Sequence, residues 1–120
     1  MSASIGSIDR MFAIWNTTDE SEQRKLAEAA LEHNVHFVDP RHNIIGLEGF
    51  ISMVRQTQAE HPGLRYSRSC EPQWQNNHSR YHWSIHSGDQ EVMTGFDVTE
   101  VTDADKIIKV IGFFGEIDRP

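Results

Sequence analysis

The sequence predicts an α+β fold, with helices in the first half of the chain and a largely antiparallel sheet in the second. Apolar residues recur mostly at helical spacing as far as Gln58, whereas from Leu64 onward they alternate as in strands. Turn sequences at 87–90 and 102–105 separate the last strands. The 120 residues, 38% of them hydrophobic, suffice for one core, so we expect a single domain spanning 1–120.

The charge and the cysteine count exclude several classes of protein. A net charge of -7 argues against nucleic acid or an anionic membrane surface as the main partner. Cys70 is the only cysteine, so no intrachain disulfide can form, and residues 1–7 lack the blocks of a signal peptide. No apolar run approaches the roughly 20 residues that span a bilayer. We therefore expect a cytoplasmic protein.

Two helices are predicted before the first strand. The first is indicated by apolar residues at helical spacing, namely Ile5, Ile8, Phe12 and Trp15. Asp19 followed by Glu22 resembles a capping box and begins the second helix, which we expect to end at Asn34. Both helices carry an apolar face that a sheet can cover.

A short strand at 35–39 ends at Pro40, which places Asp39 where backbone pairing gives way to a loop. The loop 41–46 leads into a third helix at 47–58. The chain then continues as strands at 64–74 and 79–86 and the two strands that follow, so the predicted order is ααβαββββ.

Pairing 87 with 90 and 102 with 105 predicts the register of the last three strands. It gives three cross-strand rows on one face: Arg80, Asp97 and Val110; His82, Gly95 and Gly112; Ser84, Met93 and Phe114. The opposite face is apolar and carries Tyr81, Trp83, Ile85, Val92, Phe96, Val98, Ile111 and Phe113. Ordinary binary patterning would instead turn that apolar face toward the helices and leave Asp97 outside.

The paired glycines Gly95 and Gly112 leave a hollow beside Asp97, which indicates a pocket. The residues expected to bind a small apolar ligand there are Trp15, Phe50, Met93, Gly95, Gly112 and Phe114. Aromatic residues at these spacings are also typical of a plain core.

Four side chains are candidates for catalysis. Asp97 lies mid-strand, where aspartate is disfavoured, and is either a functional acid or the partner of Arg80 in an ion pair. Arg80 could bind a substrate oxygen or simply neutralise Asp97. Asp39 is either a general base or a turn aspartate. His82 could exchange protons near neutral pH. No histidine pair has chelate spacing, so we expect no metal.

The element order, together with Val38-Asp39-Pro40, Gly95-Phe96-Asp97-Val98 and Asp105-Lys106-Ile107, resembles the NTF2-like superfamily and, within it, the SnoaL-like group. The resemblance covers about residues 8–116. It implies a cone in which a curved sheet wraps around the N-terminal helices. The group includes polyketide cyclases, ketosteroid isomerases, dehydratases, epoxide hydrolases and members without catalytic activity, so the fold does not decide the function.

Comparison with ketosteroid isomerase matches Asp39 to its base and Asp97 to its neutral acid. The position of its tyrosine donor corresponds to Met11, which cannot donate a hydrogen bond. A neighbouring Arg80 would also keep Asp97 ionised. Both departures argue against steroid isomerisation as such.

The resemblance and the residues together predict cofactor-free acid/base chemistry on an apolar carbonyl compound, as in an isomerase, cyclase or dehydratase. Asp39 or His82 would remove a proton alpha to the carbonyl, and Asp97 with Arg80 would stabilise the enolate. The alternative is a non-catalytic module that binds a ligand or a protein. In the predicted register the apolar outer face requires a cover, so we expect a homodimer that packs sheet to sheet.

Overall fold

The computed structural model describes the backbone of residues 2–117 and the side chains from Gly6 onward. The side chain of Ile5, which contributed to the prediction of the first helix, lies outside the described residues. The elements are α1 (Ser2–Asn16), α2 (Glu20–Ala30), β1 (Leu31–Asp39), β2 (His42–Ile45), α3 (Leu47–Glu60), β3 (Leu64–Arg68), β4 (Gln73–Gln75), β5 (His78–Ser87), β6 (Gln90–Val101) and β7 (Ile107–Phe114).

The strands form one curved, mixed sheet in the order β2-β1-β7-β6-β5-β3, and β4 also pairs with β5. β1 and β7 run parallel, and the other pairs are antiparallel. The predicted α+β cone is therefore confirmed. Within the described residues, no helix is long and apolar enough to cross a membrane.

The core lies between the helices and the concave face of the sheet. Its helical members include Ile8, Ile14, Phe50 and Val54, all with 0% exposure. The sheet contributes Val35, Phe37, Tyr81 and Val110. Burial of these apolar side chains holds the helices on the concave face.

Three predicted elements differ from the structure. α2 ends at Ala30 rather than Asn34, because Leu31 is already extended (φ -123, ψ 145) and pairs with Ile107. The predicted loop 41–46 contains β2, which folds back on β1 as a tight hairpin. The predicted strand 64–74 is two strands, β3 and β4, separated at 69–72. The described order is therefore ααββαβββββ.

The predicted register is wrong on both sides of β6. A bulge at Val92 of β6, which is skipped between the pairs Ile85–Met93 and His86–Glu91, shifts the pairing by one residue, so that Tyr81, and not Arg80, lies opposite Asp97. A one-residue slip moves every side chain of a strand to the other face. The concave face therefore receives the odd-numbered residues of β5, whereas the even-numbered ones, with Arg80 among them, lie on the convex face.

The turn between β6 and β7 is one residue longer than predicted. The Thr102 amide donates to the Lys106 carbonyl, and Asp105 takes a positive φ of 59. A further irregularity follows between Glu100 and Val101. The resulting shift is two residues, which places Gly112 opposite Asp97 while keeping β7 on its predicted face.

The convex face keeps a smaller apolar patch than predicted. It carries Phe96, Val98, Ile111 and Phe113, whereas Tyr81, Trp83 and Ile85 lie on the concave side. The rings of Phe96 and Phe113 stack with centroids 4.9 Å apart, and Phe113 is 46% exposed. This patch is called the convex patch below.

Candidate functional site

A cavity of about 340 Å³ lies between α1, the end of α3 and the concave face of the sheet. Its wall is mostly apolar and includes Met11, Phe12, Trp15, Phe37, Tyr66, Trp83, Ile85, Met93 and Phe114. The polar side chains that reach it from the sheet include Asp39, His42 and Asp97. A cavity of this size and lining suits a small, largely apolar molecule with one or two polar atoms.

Of the six residues predicted to bind a ligand, Trp15, Met93, Gly112 and Phe114 line this cavity. Phe50 does not: it has 0% exposure and packs edge-on against Trp15, with ring centroids 6.1 Å apart. Gly95 does not line it either, because the indole of Trp83 covers it. A Cβ at Gly95 would lie 2.3 Å from Trp83 Cζ2 and 2.1 Å from the Phe113 carbonyl oxygen.

Trp15 holds its place in the wall through its backbone. The Gln58 side chain of α3 donates to the Trp15 carbonyl at 2.9 Å, and also to the Thr17 carbonyl just after α1. The Trp15 ring then packs on Tyr66 and Phe37. Helix α1 is thereby fixed over the concave face, with Met11 and Trp15 facing the cavity.

Asp97 lies in the middle of β6 on the concave face and is only 7% exposed. The Tyr81 hydroxyl donates to its Oδ2 at 3.1 Å, and Trp83 Nε1 donates to its Oδ1 at 2.9 Å. Both donors come from β5, and their side chains lie on the face opposite to the predicted one. The aspartate that is disfavoured in a strand is thus held by two neutral donors in an apolar wall.

The buried position changes the proton affinity of Asp97. Burial raises its pKa from 3.8 to about 7; the hydrogen bonds from Trp83 and Tyr81 lower it, and the negative charge of Asp39 raises it further. Burial also raises the pKa of the Tyr81 hydroxyl well above 10, so Tyr81 remains a donor. Near neutral pH, Asp97 therefore carries a proton in a substantial fraction of molecules.

Asp39 ends β1 beside the same cavity and has a side-chain exposure of 10%. Its Oδ1 accepts a hydrogen bond from the Arg41 amide at 2.8 Å and lies 3.0 Å from His42 Nδ1. Gly112 separates it from Asp97: a Cβ there would lie 3.0 Å from Asp97 Oδ1 and 3.5 Å from Asp39 Cβ. The hollow predicted at Gly112 is therefore the gap between the two acids.

Arg80 and His82, the other two catalytic candidates, lie on the convex face. Arg80 Nε donates to Gln73 Oε1 at 2.8 Å, and the His82 ring contacts the Phe96 ring edge-on. Both are exposed. The predicted pairing of Arg80 with Asp97 is wrong because of the bulge in β6, so neither Arg80 nor His82 contributes to the candidate site.

Four polar residues of the site were missed as site residues. Tyr81 and Trp83 were assigned to the wrong face, and Arg41 and His42 were assigned to a plain loop. The signal for His42 was present in the sequence, since a histidine three residues after an aspartate that ends a strand can fold back onto that aspartate. The Arg41 guanidinium lies at the cavity mouth, 6.0 Å from the centre of the Phe114 ring.

Metal ligands are not clustered in the part of the chain that the structure describes. No group of three or more His, Cys, Asp or Glu side chains is arranged there to hold an ion. Cys70 is exposed, and its sulfur accepts a hydrogen bond from the His82 amide. The chemistry that this arrangement supports is proton transfer between carboxyl, imidazole and a bound apolar molecule.

Structural comparison shows which known proteins are similar to this chain. A SnoaL-like family protein from Agrobacterium tumefaciens strain C58, provisionally named an isomerase, superposes with a TM-score of 0.88 and 27% identity, covering 97% of this chain and all of that one. A SnoaL-like protein from Jannaschia sp. CCS1, provisionally named a polyketide cyclase, gives a TM-score of 0.74 at 10% identity, with 94% and 85% coverage.

A Mycobacterium tuberculosis epoxide hydrolase of the LEH-like type gives a TM-score of 0.67 at 13% identity, with 95% of this chain and 84% of that chain covered. No protein-family model matches the sequence, and no curated protein sequence matches it. The chain has the NTF2-like, cystatin-like fold. Among proteins of that fold it resembles the SnoaL-like group, as the sequence predicted.

Proposed function

We propose that this protein is a cofactor-independent acid/base enzyme that moves a proton on an apolar carbonyl compound bound in the cavity. The observation that carries this proposal is Asp97, a buried carboxyl with a pKa of about 7 in an apolar wall, separated from a second carboxyl only by Gly112. Such an acid can donate a hydrogen bond to a developing enolate oxygen near neutral pH. The provisional isomerase and cyclase names of the similar structures are consistent with this class of reaction.

In the proposed reaction, a base at the Asp39 end of the cavity removes a proton from the carbon next to the carbonyl. The C–H electron pair moves into the carbonyl, and the enolate oxygen accepts the hydrogen bond of protonated Asp97. Return of the proton to another carbon gives isomerisation, and loss of a leaving group gives elimination. The apolar wall excludes water and so strengthens both interactions.

A test that needs no natural substrate is deuterium exchange at the acidic carbon of 2-tetralone, an apolar bicyclic ketone, followed by proton NMR in D₂O. We expect the wild-type protein to accelerate the exchange and Asp97→Asn to slow it by about 10²-fold, in the range of a lost oxyanion donor. The matched control is Asp103→Asn at an exposed turn residue, which should exchange like the wild type. Equal rates for wild type and Asp97→Asn, with both folded, would refute the role of Asp97.

Ligand binding without turnover is the second candidate function. It is favoured by the engagement of both Asp97 oxygens by Tyr81 and Trp83, since such a network can also serve only to build the cavity. Native mass spectrometry of protein purified from its own host separates the two. A retained apolar molecule without any ketone exchange would favour this second function.

We further propose a homodimer that covers the convex patch, in a reducing cytoplasm. Phe113 is 46% exposed beside Phe96, and stacked aromatic rings on an open sheet face are typical of an interface. The single free Cys70 fits a reducing compartment.

A further inference from the structure

His42 and Asp39 form a side-chain pair at the Asp39 end of the cavity. His42 Nδ1 lies 3.0 Å from Asp39 Oδ1, and both residues line the cavity wall. The histidine is about one-third exposed, at 31%, and the aspartate is 10% exposed. The imidazole is thus accessible from the cavity, whereas the carboxylate is largely covered.

The contacts of Asp39 indicate different roles for the Asp39 and His42 side chains. Its Oδ1 accepts a hydrogen bond from the Arg41 amide at 2.8 Å, as is typical of an aspartate in a turn at the end of a strand. The same oxygen accepts a hydrogen bond from His42 Nδ1. A carboxylate that accepts from Nδ1–H holds the imidazole in the tautomer whose Nε2 carries the lone pair. Within the described residues, Nε2 of His42 has no hydrogen-bond partner, so that lone pair remains available.

The pair also lies at a suitable place relative to Asp97. The position that a Cβ of Gly112 would occupy is within 3.5 Å of both Asp39 Cβ and Asp97 Oδ1. A substrate that lies over Gly112 would therefore have Asp39 on one side, with His42 next to it on the edge strand β2, and Asp97 on the other side. A proton acceptor and a hydrogen-bond donor on opposite sides of a carbonyl compound are the two groups that enolisation requires.

We propose that His42 is the general base of the site and that Asp39 is its positioning residue. This inference rests on the proposed function, because it assigns the base within that reaction. His42 Nε2 takes the proton from the carbon next to the carbonyl, and the C–H electron pair becomes the enolate. The resulting imidazolium is paired with the Asp39 side chain and later gives the same proton to the product carbon. No other reactant is consumed.

The first test measures deuterium exchange of 2-tetralone by the wild type, His42→Ala and Asp39→Ala. A positioned general base contributes typically about 10² to 10⁴-fold. We expect His42→Ala to lose about 10²-fold and to regain part of the rate when free imidazole is added, because the small base can occupy the vacated space. Asp39→Ala should lose about tenfold. The exposed His78, on β5, provides the matched control, and His78→Gln should exchange like the wild type.

The second test is independent of turnover and uses ¹⁵N NMR of the histidine rings. We expect the neutral ring of His42 to carry its proton on Nδ1 in the wild type. In Asp39→Ala we expect a mixture in which Nε2–H increases, since the acceptor of the Nδ1 proton is gone. A wild-type ring with its proton on Nε2 would overturn the positioning role of Asp39.

The exchange data distinguish failure of this inference from failure of the proposed function. If Asp39→Ala abolishes exchange while His42→Ala retains it, Asp39 is itself the base, and the inference fails although the function stands. The same holds if imidazole does not restore His42→Ala. If the wild type exchanges 2-tetralone no faster than a folded His42→Ala/Asp97→Asn double variant, the proposed function itself fails.

Discussion

Asp97→Asn should change how the stability of the protein depends on pH. The Asp97 carboxyl has a pKa of about 7 in the folded protein and 3.8 as its ordinary value. Between these values the folded state binds more protons than the unfolded state, so the Asp97 contribution to stability falls as pH rises. One pKa unit corresponds to about 1.4 kcal/mol. The free energy of unfolding should therefore drop by about 3 kcal/mol between pH 5 and pH 8 on account of this group.

Asparagine has nearly the same shape and does not ionise, so the variant lacks this decrease. We expect the stability of Asp97→Asn relative to the wild type to improve by about 3 kcal/mol from pH 5 to pH 8, whatever its offset at pH 5. That offset includes about 1 kcal/mol, because the NH₂ group of the asparagine cannot accept a hydrogen bond from the donor that it faces, either Tyr81 or Trp83. Titrating groups that do not interact with Asp97 are common to both proteins and cancel in the difference.

Urea unfolding followed by tryptophan fluorescence at pH 5, 6, 7 and 8 provides the measurement. Asp103→Asn is the control at an exposed position, and its stability should run parallel to the wild type across the series. Parallel curves for Asp97→Asn and wild type would refute the reasoning, since they would mean that Asp97 has the same proton affinity in the folded and unfolded chains.

Three further predictions concern the neighbours of Asp97 and the convex patch. Tyr81→Phe removes a hydrogen bond that lowers the pKa of Asp97, so the carboxyl should titrate above pH 7 by ¹³C NMR, and stability at pH 8 should fall by about 1 to 3 kcal/mol. Gly95→Ala should cost more stability in thermal unfolding than Gly112→Ala, because its Cβ would lie 2.1 Å from a backbone oxygen whereas that of Gly112 meets its nearest atom at 3.0 Å. Overpacking of this kind costs typically about 1 to 3 kcal/mol. Phe113→Lys should shift the protein from dimer to monomer in light scattering, because it introduces a charge into the convex patch.

Each of these predictions has an outcome that contradicts it. An unchanged Asp97 titration in Tyr81→Phe would mean that the hydroxyl does not bind the carboxyl in solution. Equal losses for the two glycine variants would contradict the close packing of Trp83 on Gly95. A wild-type protein that is monomeric at all concentrations would remove the dimer, and with it the reason for testing Phe113→Lys.

The positions of the helices and of the two acids were predictable because their signals are local. The Asp19 side chain accepts from the Glu22 amide as the capping-box pattern predicts. Asp39 is followed by Pro40, which fixes the end of β1. These features depend on residues within four positions of each other, and the structure retains them.

The identity of the residues around Asp97 was not predictable, since it depends on bulges. Nothing in the sequence around Val92 marks a bulge, and the backbone of Asp105 adopts a positive φ that a two-residue turn does not require. One extra residue in β6 exchanges Arg80 for Tyr81 as the neighbour of Asp97. Arg80, a cation that would lower the pKa of Asp97, is thereby replaced by Tyr81, a neutral donor in an apolar wall. The carboxyl that was expected to be ionised therefore keeps its proton in a substantial fraction of molecules near neutral pH.

The parallel pairing of β1 with β7 has a consequence for how this protein reaches its native state. Val38 pairs with Ile111, so the two strands that carry Asp39 and Gly112 are separated by about seventy residues of chain. Closing so long a loop is entropically costly, and contacts of this separation form slowly. We expect the hairpins of β5, β6 and β7 to form first and β1 to join them late. The two acids would then come together only in the final step of folding, so that a ribosome-bound chain lacking β7 cannot assemble the site.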